Sequence, residues 1–365
     1  MSTVNAALRD QVDRMERARI RRRSRFVLTD EHVTLSHGSG GKASRNLIDG
    51  LLLPALGTTG HDGFEDAAVL PVAAANSRLA FTTDSYVVSP LFFPGGDIGS
   101  LAVHGTVNDL ATAGAMPIAL SLGLILEEGI EVELLRRVMD SIRAASADAG
   151  VTIVTGDTKV VPRGKADRLF INTSGVGLVK PGVSLSASHV RPGDRVLLSG
   201  SIGEHGIAVM LAREALDLEA DIRSDSRPLH HLAAAMLAAG SEIRCLKDPT
   251  RGGLATSLNE IAHQARVAIV IDEAKIPVRG EVRAACEILG LDPLHIANEG
   301  KLVAVVAAEQ ADAVLEAMRA TPPGRDACVI GEVLEQPQEM VVVRTEAGGS
   351  RVLDMLAGDP LPRIC

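Results

Sequence analysis

Five times along the chain an acidic residue stands beside small residues at the end of an apolar run. These are Glu65-Asp66-Ala67-Ala68, Thr82-Thr83-Asp84-Ser85, Asn108-Asp109, Gly156-Asp157-Thr158 and Asp248-Pro249-Thr250-Arg251-Gly252-Gly253. Carboxylates converging on a polyphosphate are what Mg2+ chemistry asks for, because the ion wants hard oxygen ligands and keeps several waters. Taken singly, each Asp is a turn or N-cap residue by roughly three to one, but five such sites in one chain shift the odds toward a shared site. His37-Gly38-Ser39-Gly40-Gly41-Lys42 is a glycine-rich loop ahead of a helical pattern that begins near Ala43. Its backbone N–H groups can approach phosphate oxygens, the helix start adds positive potential, and Lys42 adds charge. The loop does not satisfy the Walker A pattern; read alone it is a turn, with Lys42 a solvated lysine and His37 a structural histidine. Arg251-Gly252-Gly253 opens a helix and could hold a phosphate or simply cap it. Glu299, in Asn298-Glu299-Gly300-Lys301, is a turn acid unless its company makes it a base. Cys365 is the last residue of the sequence, on a proline-containing stretch (residues 357–365) able to span roughly 30 Å. Such a stretch could swing a thiol between two sites; the bland alternative is an incidental thiol.

These residues must be carried by strands and helices. Strand-like runs at 79–83, 117–126, 151–155 and 169–178 alternate with helical patterns at 98–113 and 132–149. In the second of these helices Leu135, Val138, Met139 and Ile142 recur at helical spacing. After the break at Lys180-Pro181-Gly182 and the turn Arg191-Pro192-Gly193-Asp194, the alternation repeats. Helices are expected near 204–213, 228–239, 253–264, 280–289 and 309–319, and strands near 195–199, 267–271, 301–307, 328–333 and 340–344. The expected fold class is mixed α/β. Four segments are expected: a basic arm (residues 1–25), an N-terminal domain (26–182), a C-terminal α/β domain (183–346) and a mobile tail (347–365).

Composition bounds the function. The chain has 365 residues with 37 Lys+Arg and 46 Asp+Glu, so its formal charge is 37 − 46 = −9. That balance argues against a phosphate-neutralising nucleic-acid face. No Trp, one Tyr and six Phe leave no aromatic platform for stacking bases. No apolar run reaches the ~18 residues of a membrane span, and the arginine-rich residues 9–25 precede no apolar signal core. The four cysteines, Cys245, Cys286, Cys328 and Cys365, show no metal-binding or disulfide spacing. A soluble, cytoplasmic protein is expected.

Taken together, the His37 to Lys42 loop, Thr83-Asp84-Ser85, Val107-Asn108-Asp109, Gly156-Asp157-Thr158-Lys159-Val160-Val161, Asp248 to Gly253, Asn298 to Lys301 and the closing Pro362-Arg363-Ile364-Cys365 resemble a known family. It is the HypE carbamoyl dehydratases of nickel–iron hydrogenase maturation, in the ATP-dependent superfamily of aminoimidazole ribonucleotide synthetase, selenophosphate synthetase and thiamine monophosphate kinase. The resemblance runs from about residue 30 to 365, and the terminal P-R-I-C separates this member from its relatives. It implies a two-domain α/β fold of the aminoimidazole ribonucleotide synthetase type, with N-terminal domains paired into a homodimer through a β-barrel-type interface. It also implies ATP as consumed substrate and Mg2+ as cofactor. Cys365 is then carbamoylated by HypF, the thiocarboxamide is dehydrated to a thiocyanate, and the cyanide passes to HypC and HypD. By the same resemblance Asp66, Asp84, Asp109 and Asp248 are assigned to magnesium and phosphate. His37, Gly38, Ser39, Gly40, Gly41, Lys42, Asp84, Asn108, Asp157, Arg251 and Gly252 are assigned to the nucleotide, and Lys159 and Glu299 to orienting the thiocarboxamide and moving its protons. Which of the last two is the base stays open, as does a ligand role for Glu65, where relatives often carry Gly-Asp-Asp. The alternatives are a small-molecule synthetase or kinase of the same superfamily, and a passive carrier whose thiol shuttles a one-carbon group.

Overall fold

The computed structural model describes residues 41–47, 50, 68–71, 78–213, 221–356, 358 and 363–365. The N-terminal half runs α1 (Lys42–Leu47), β1 (Ala68–Pro71), β2 (Arg78–Tyr86), the two-stranded ribbon β3 (Phe92–Phe93) and β4 (Gly96–Asp97), α2 (Ile98–Thr112), β5 (Ala115–Glu127), α3 (Val132–Asp148), β6 (Thr152–Val161) and β7 (Leu169–Val179). Five strands form one sheet in the order β1-β2-β7-β5-β6, antiparallel except for the β5/β6 pair. Its faces follow from alternation: in β2, Ala80, Thr82 and Tyr86 are buried while Phe81, Thr83 and Ser85 are exposed.

Helix α2 starts where Asp97 closes a capping box, its Oδ1 accepting from the backbone N–H of Gly99 at 2.7 Å and Ser100 at 3.1 Å. The helix is buried nearly all round, polar residues included, and the reason is its position: one side packs on β2, β5 and β7, the other on elements of the second half. Helix α3 is amphipathic and lays Val138, Ile142 and Ala145 against the same core.

The second half contributes β8 (Arg195–Leu198), α4 (Glu204–Arg213), α5 (His230–Ala239), β9 (Ile243–Lys247), α6 (Gly253–Ala265), β10 (Ala268–Asp272), α7 (Gly280–Leu289), β11 (Val303–Val306), α8 (Ala311–Arg319), β12 (Cys328–Leu334), β13 (Met340–Arg344) and β14 (Ser350–Leu353). The sheet order is β14-β13-β10-β12-β8-β11-β9, with only β10 and β13 parallel. Both faces are covered, so its strands read as continuous apolar runs. Val196, Leu198, Val303 and Val305 face Leu254, Leu258 and Ile261 of α6, whereas Leu197, Ala304 and Val306 face Leu232, Met236, Val314 and Met318 of α5 and α8.

The expected helices and strands are present with small shifts at their ends, and two local differences have physical causes. Residues 156–158 do not end a run, because β6 continues to Val161 on its parallel pairing with β5. The tail expected from residue 347 begins only after Leu353. Gly348, at φ 84°, turns the chain into β14, which pairs antiparallel with β13 and buries Leu353. The arm at residues 1–25 lies outside the described residues, as do Glu65 and Asp66. No helix among the described residues is long and apolar enough to cross a membrane.

Candidate active site

The inner face and the end of β2, the two sharp loops around α6 and β11, and the final residues of the chain meet between the two halves. Asp84 sits on the inner face of β2, and Thr82, on the same face, donates its hydroxyl to Asp109 Oδ2 of α2 at 2.7 Å. Tyr86, two residues on, is fully buried, its hydroxyl 3.3 Å from Thr106 Oγ1. Burial first, then the charges of Asp84 and Asp109, push its phenol well above the ordinary tyrosine range.

From the opposite side, the β9–α6 loop delivers Asp248, Arg251 and Gly252. Helix α6 begins through left-handed Gly252 (φ 74°) and Gly253 (φ 61°). A Cβ on Gly253 would lie 2.6 Å from the Ile296 carbonyl oxygen, so that position admits only glycine. The tight start presents Arg251 to Asp84, whose Oδ1 lies 3.9 Å from the guanidinium. Negative charge at Cys365 is the strongest influence on Arg251. Together with Asp84 and Glu299 it holds the guanidinium protonated against burial.

Glu299 is 3% exposed, and its Oε1 has no hydrogen-bond partner. Burial above all, then the negative charges of Asp248, Asp84 and Asp225, drives its carboxyl well above the usual range, with Arg251 opposing. Its loop is held from behind, since Asp225 accepts the backbone N–H of Glu299 at 3.2 Å and of Gly300 at 3.1 Å. A side chain at Gly300 would overlap the Asp225 carbonyl, which is why glycine follows the acid. Asp225 also lies 3.5 Å from buried Lys301 Nζ. Nothing in the local sequence marks Asp225, because its partners lie some 75 residues away.

The tail closes the site. Val87 N–H donates to the Cys365 carbonyl at 3.1 Å and Ser89 N–H to that of Arg363 at 3.2 Å, extending β2 by a short antiparallel pairing. Cys365 is 6% exposed and sits in one apolar cluster with Tyr86, Val88, Ile207 and Ile364.

Several expected site residues are placed elsewhere. Asp157 and Lys159 project from the outer face of β6, about 70% exposed, and pair with each other at 2.7 Å. That ion pair is the first cause holding the Asp157 carboxyl below its ordinary value. The register sets them apart from the rest: Asp84 pairs with Thr173, Thr173 with Leu122 and Leu122 with Gly156. Asp157 is thus three strand spacings from Asp84, about 14 Å, and on the other face of the sheet. Asn108 is fully buried and its amide is used up by backbone. It donates to the carbonyls of Arg227 at 3.1 Å and Glu299 at 3.2 Å, and accepts from Leu229 N–H at 2.8 Å. It ties the halves together instead of facing open space. Lys42 pairs with Asp354 at 2.6 Å, and its N–H donates to the Leu356 carbonyl at 3.1 Å, joining Gly41-Lys42 to the start of the tail. His37, Gly38, Ser39, Gly40 and Asp66 lie outside the described residues.

Among the described residues no three acidic, histidine or cysteine side chains surround one point as a metal cage would. The donor set still suits Mg2+, which takes one or two carboxylates and completes its shell with phosphate oxygens and water. Asp84, Asp109 and Asp248 supply such oxygens, and the negative potential that raises Glu299 is what a dication would relieve.

Known proteins resemble this chain over both of its halves. Residues 64–179 match the N-terminal domain, and 191–344 the C-terminal domain, of the AIR synthase related proteins. The carbamoyl dehydratase HypE of Azotobacter vinelandii is 56% identical over 342 residues, 94% of this chain and 100% of that one. A crystal structure of a HypE–HypF complex superposes with a TM-score of 0.80 at 46% identity, covering 85% of this chain and 99% of that chain. A crystal structure of HypE in complex with ATP superposes with a TM-score of 0.77 at 47% identity, covering 92% and 100%.

Proposed function

This chain belongs to the HypE family of carbamoyl dehydratases, and from that premise we propose that it dehydrates a carbamoyl group carried on Cys365 to a thiocyanate at the expense of ATP. The observation that carries the reading is the docking of Cys365 between the two halves, with Arg251 answering to charge on both Cys365 and buried Glu299. A passive carrier needs no buried acid, and a small-molecule synthetase needs no terminal thiol in the site.

The chemistry fits those groups. Oxide cannot leave from S–C(=O)–NH2, so the carbonyl oxygen attacks the γ-phosphorus of ATP, ADP departs, and the oxygen becomes part of a phosphate ester. Loss of one proton from nitrogen accompanies that step; loss of the second expels phosphate and leaves S–C≡N. Bound Mg2+ would neutralise phosphate charge, with one or two carboxylates drawn from Asp84, Asp109 and Asp248, and Asp66 by resemblance, as its protein ligands. Arg251 steadies charge at the tail and the nucleotide. Glu299 takes the protons: a carboxyl raised by burial is a stronger base once ionised, and no partner occupies its Oε1. The loop at His37 to Lys42 and the helix start at Gly252 serve the nucleotide. Lys159 and Asp157 act from the outer face of the sheet, and only where a second copy lies against it. That face exposes Phe81, Met116, Ile125 and Leu178, between 40 and 45% each, and supports a homodimer. HypF loads the tail, and HypC with HypD accept the cyanide.

The test is intact mass with mapping of the C-terminal peptide. Incubation with HypF, carbamoyl phosphate and ATP should add one carbamoyl group to Cys365, and excess magnesium-ATP should then remove one water. An unmodified Cys365 beside demonstrably active HypF would overturn the assignment.

A further inference from the structure

The main-chain oxygens of the final residues Arg363, Ile364 and Cys365 are all engaged, and the donors come from both halves of the molecule. The Arg363 carbonyl accepts from Ser89 N–H at 3.2 Å and from Arg213 Nη2 at 2.8 Å; Arg213 Nε also holds the Ser89 carbonyl at 2.9 Å. The Ile364 carbonyl lies 3.0 Å from His205 Nε2, and the Cys365 carbonyl accepts from Val87 N–H at 3.1 Å. Arg363 adopts a left-handed backbone (φ 58°), a cost for a non-glycine residue that its contacts offset. Its side chain reaches back to the Val87 carbonyl at 3.0 Å and pairs with Asp167 at 2.5 Å.

His205 lies at the centre of this arrangement. It is fully buried in the first half of α4, edge-on to Phe93, and burial holds its imidazole below the ordinary histidine range, so the ring is neutral. A neutral ring has one donor and one acceptor, and the surroundings say which is which. Ser224 Oγ accepts the Ser226 N–H at 3.1 Å, so its own proton is free to go to His205 Nδ1, 2.8 Å away. The proton on the ring is therefore at Nε2, aimed at the Ile364 carbonyl.

Resting on the dehydratase reading, we propose that His205, oriented by Ser224 and assisted by Arg213, is a positioning residue: a latch that grips the tail by its peptide carbonyls and sets Cys365 beside Arg251. Neither residue touches the reacting atoms. A latch that reads main chain works in the same way whether the thiol is bare, carbamoylated or cyanated, because the cargo hangs from the side chain. It must open for loading and close for dehydration, so weakening it acts on the two steps with opposite sign.

The experiment alkylates the full-length protein with N-ethylmaleimide, without nucleotide or carbamoyl donor, and follows each cysteine by peptide mapping. His205→Ala and Arg213→Gln should each speed alkylation of Cys365 by about fivefold or more, the worth of one hydrogen bond. Buried Cys245 and Cys286 should keep the parent's rate. His205→Gln, which keeps a donor near Nε2, should restore slow alkylation, as a merely space-filling role would not require. Should His205→Ala loosen the whole fold and release every cysteine, Arg213→Gln decides alone. Parent-rate alkylation of Cys365 in Arg213→Gln and in a folded His205→Ala overturns the latch. In the same variants HypF should load Cys365 faster and single-turnover dehydration should slow. The alkylation result needs neither reaction, so failure of the dehydratase reading and failure of the latch are told apart.

Discussion

Glu299 illustrates how one side chain acquires a role from its surroundings. In water its carboxyl would be ionised at neutral pH. Here burial and the charges of Asp248, Asp84 and Asp225 favour the protonated form in the folded state. The stability consequence has a definite sign, because the folded protein binds this proton more tightly than the unfolded chain. The contribution is complete below the ordinary carboxylate range and is lost as pH rises through the raised value. Glu299→Gln removes that dependence, so its melting temperature should fall less than the parent's between about pH 5 and pH 9. Dehydration, which needs the ionised base, should rise with pH in the parent and drop by about a hundredfold or more in Glu299→Gln. Thermal scans and single-turnover mass measurements check the pair. A Gln variant that dehydrates like the parent would remove Glu299 from the chemistry.

At the scale of elements, α2 is the hinge pin of the site. Its Asn108 satisfies three backbone groups of the second half, among them the carbonyl of Glu299 itself. Asn108→Ala leaves those groups buried and unpaired, at a cost of about 1–3 kcal/mol for each that water cannot reach. Urea titration should show a loss of about 2–4 kcal/mol without a change in secondary structure. A loss below about 0.5 kcal/mol, the scale of an ordinary surface change, would show that the tie is dispensable. The span of α2 was legible in the sequence, since its capping Asp97 and apolar run are local. The task of Asn108 was not, because an Asn facing phosphate and an Asn facing two carbonyls look alike in a string of letters.

On the scale of the whole molecule, the first sheet has one face covered by α2, and no described element covers the other. That second face sets Phe81, Met116, Ile125 and Leu178 around a polar ladder in which Asn172 donates to Ser85 Oγ at 3.0 Å and Ser174 to Thr83 Oγ1 at 3.0 Å. Four large apolar side chains from three strands on one sheet face make a patch of the kind that pairing buries. Phe81→Asp combined with Leu178→Asp should convert a dimer to a monomer in light scattering while leaving the fold intact. An unchanged mass would move the homodimer contact off this face.

The sequence by itself determined the local properties: alternation that became strands, apolar helical spacing that became α2 to α8, glycines where the chain turns sharply, and acidic punctuation whose order resembles one family. These are short-range, because strand period, capping and turn chemistry involve neighbours a few residues apart. Tertiary structure alone decided which acids share a space. Asp84 and Asp157 occupy similar settings in the sequence, yet register puts them on opposite faces of one sheet, while Asp84, Arg251, Glu299 and Cys365 are joined only by the packing of two halves. The same packing docks Arg363, Ile364 and Cys365 by their main-chain oxygens, and brings in His205, Arg213 and Asp225. Their partners lie tens to more than a hundred residues away, and local composition holds no trace of a contact at that separation.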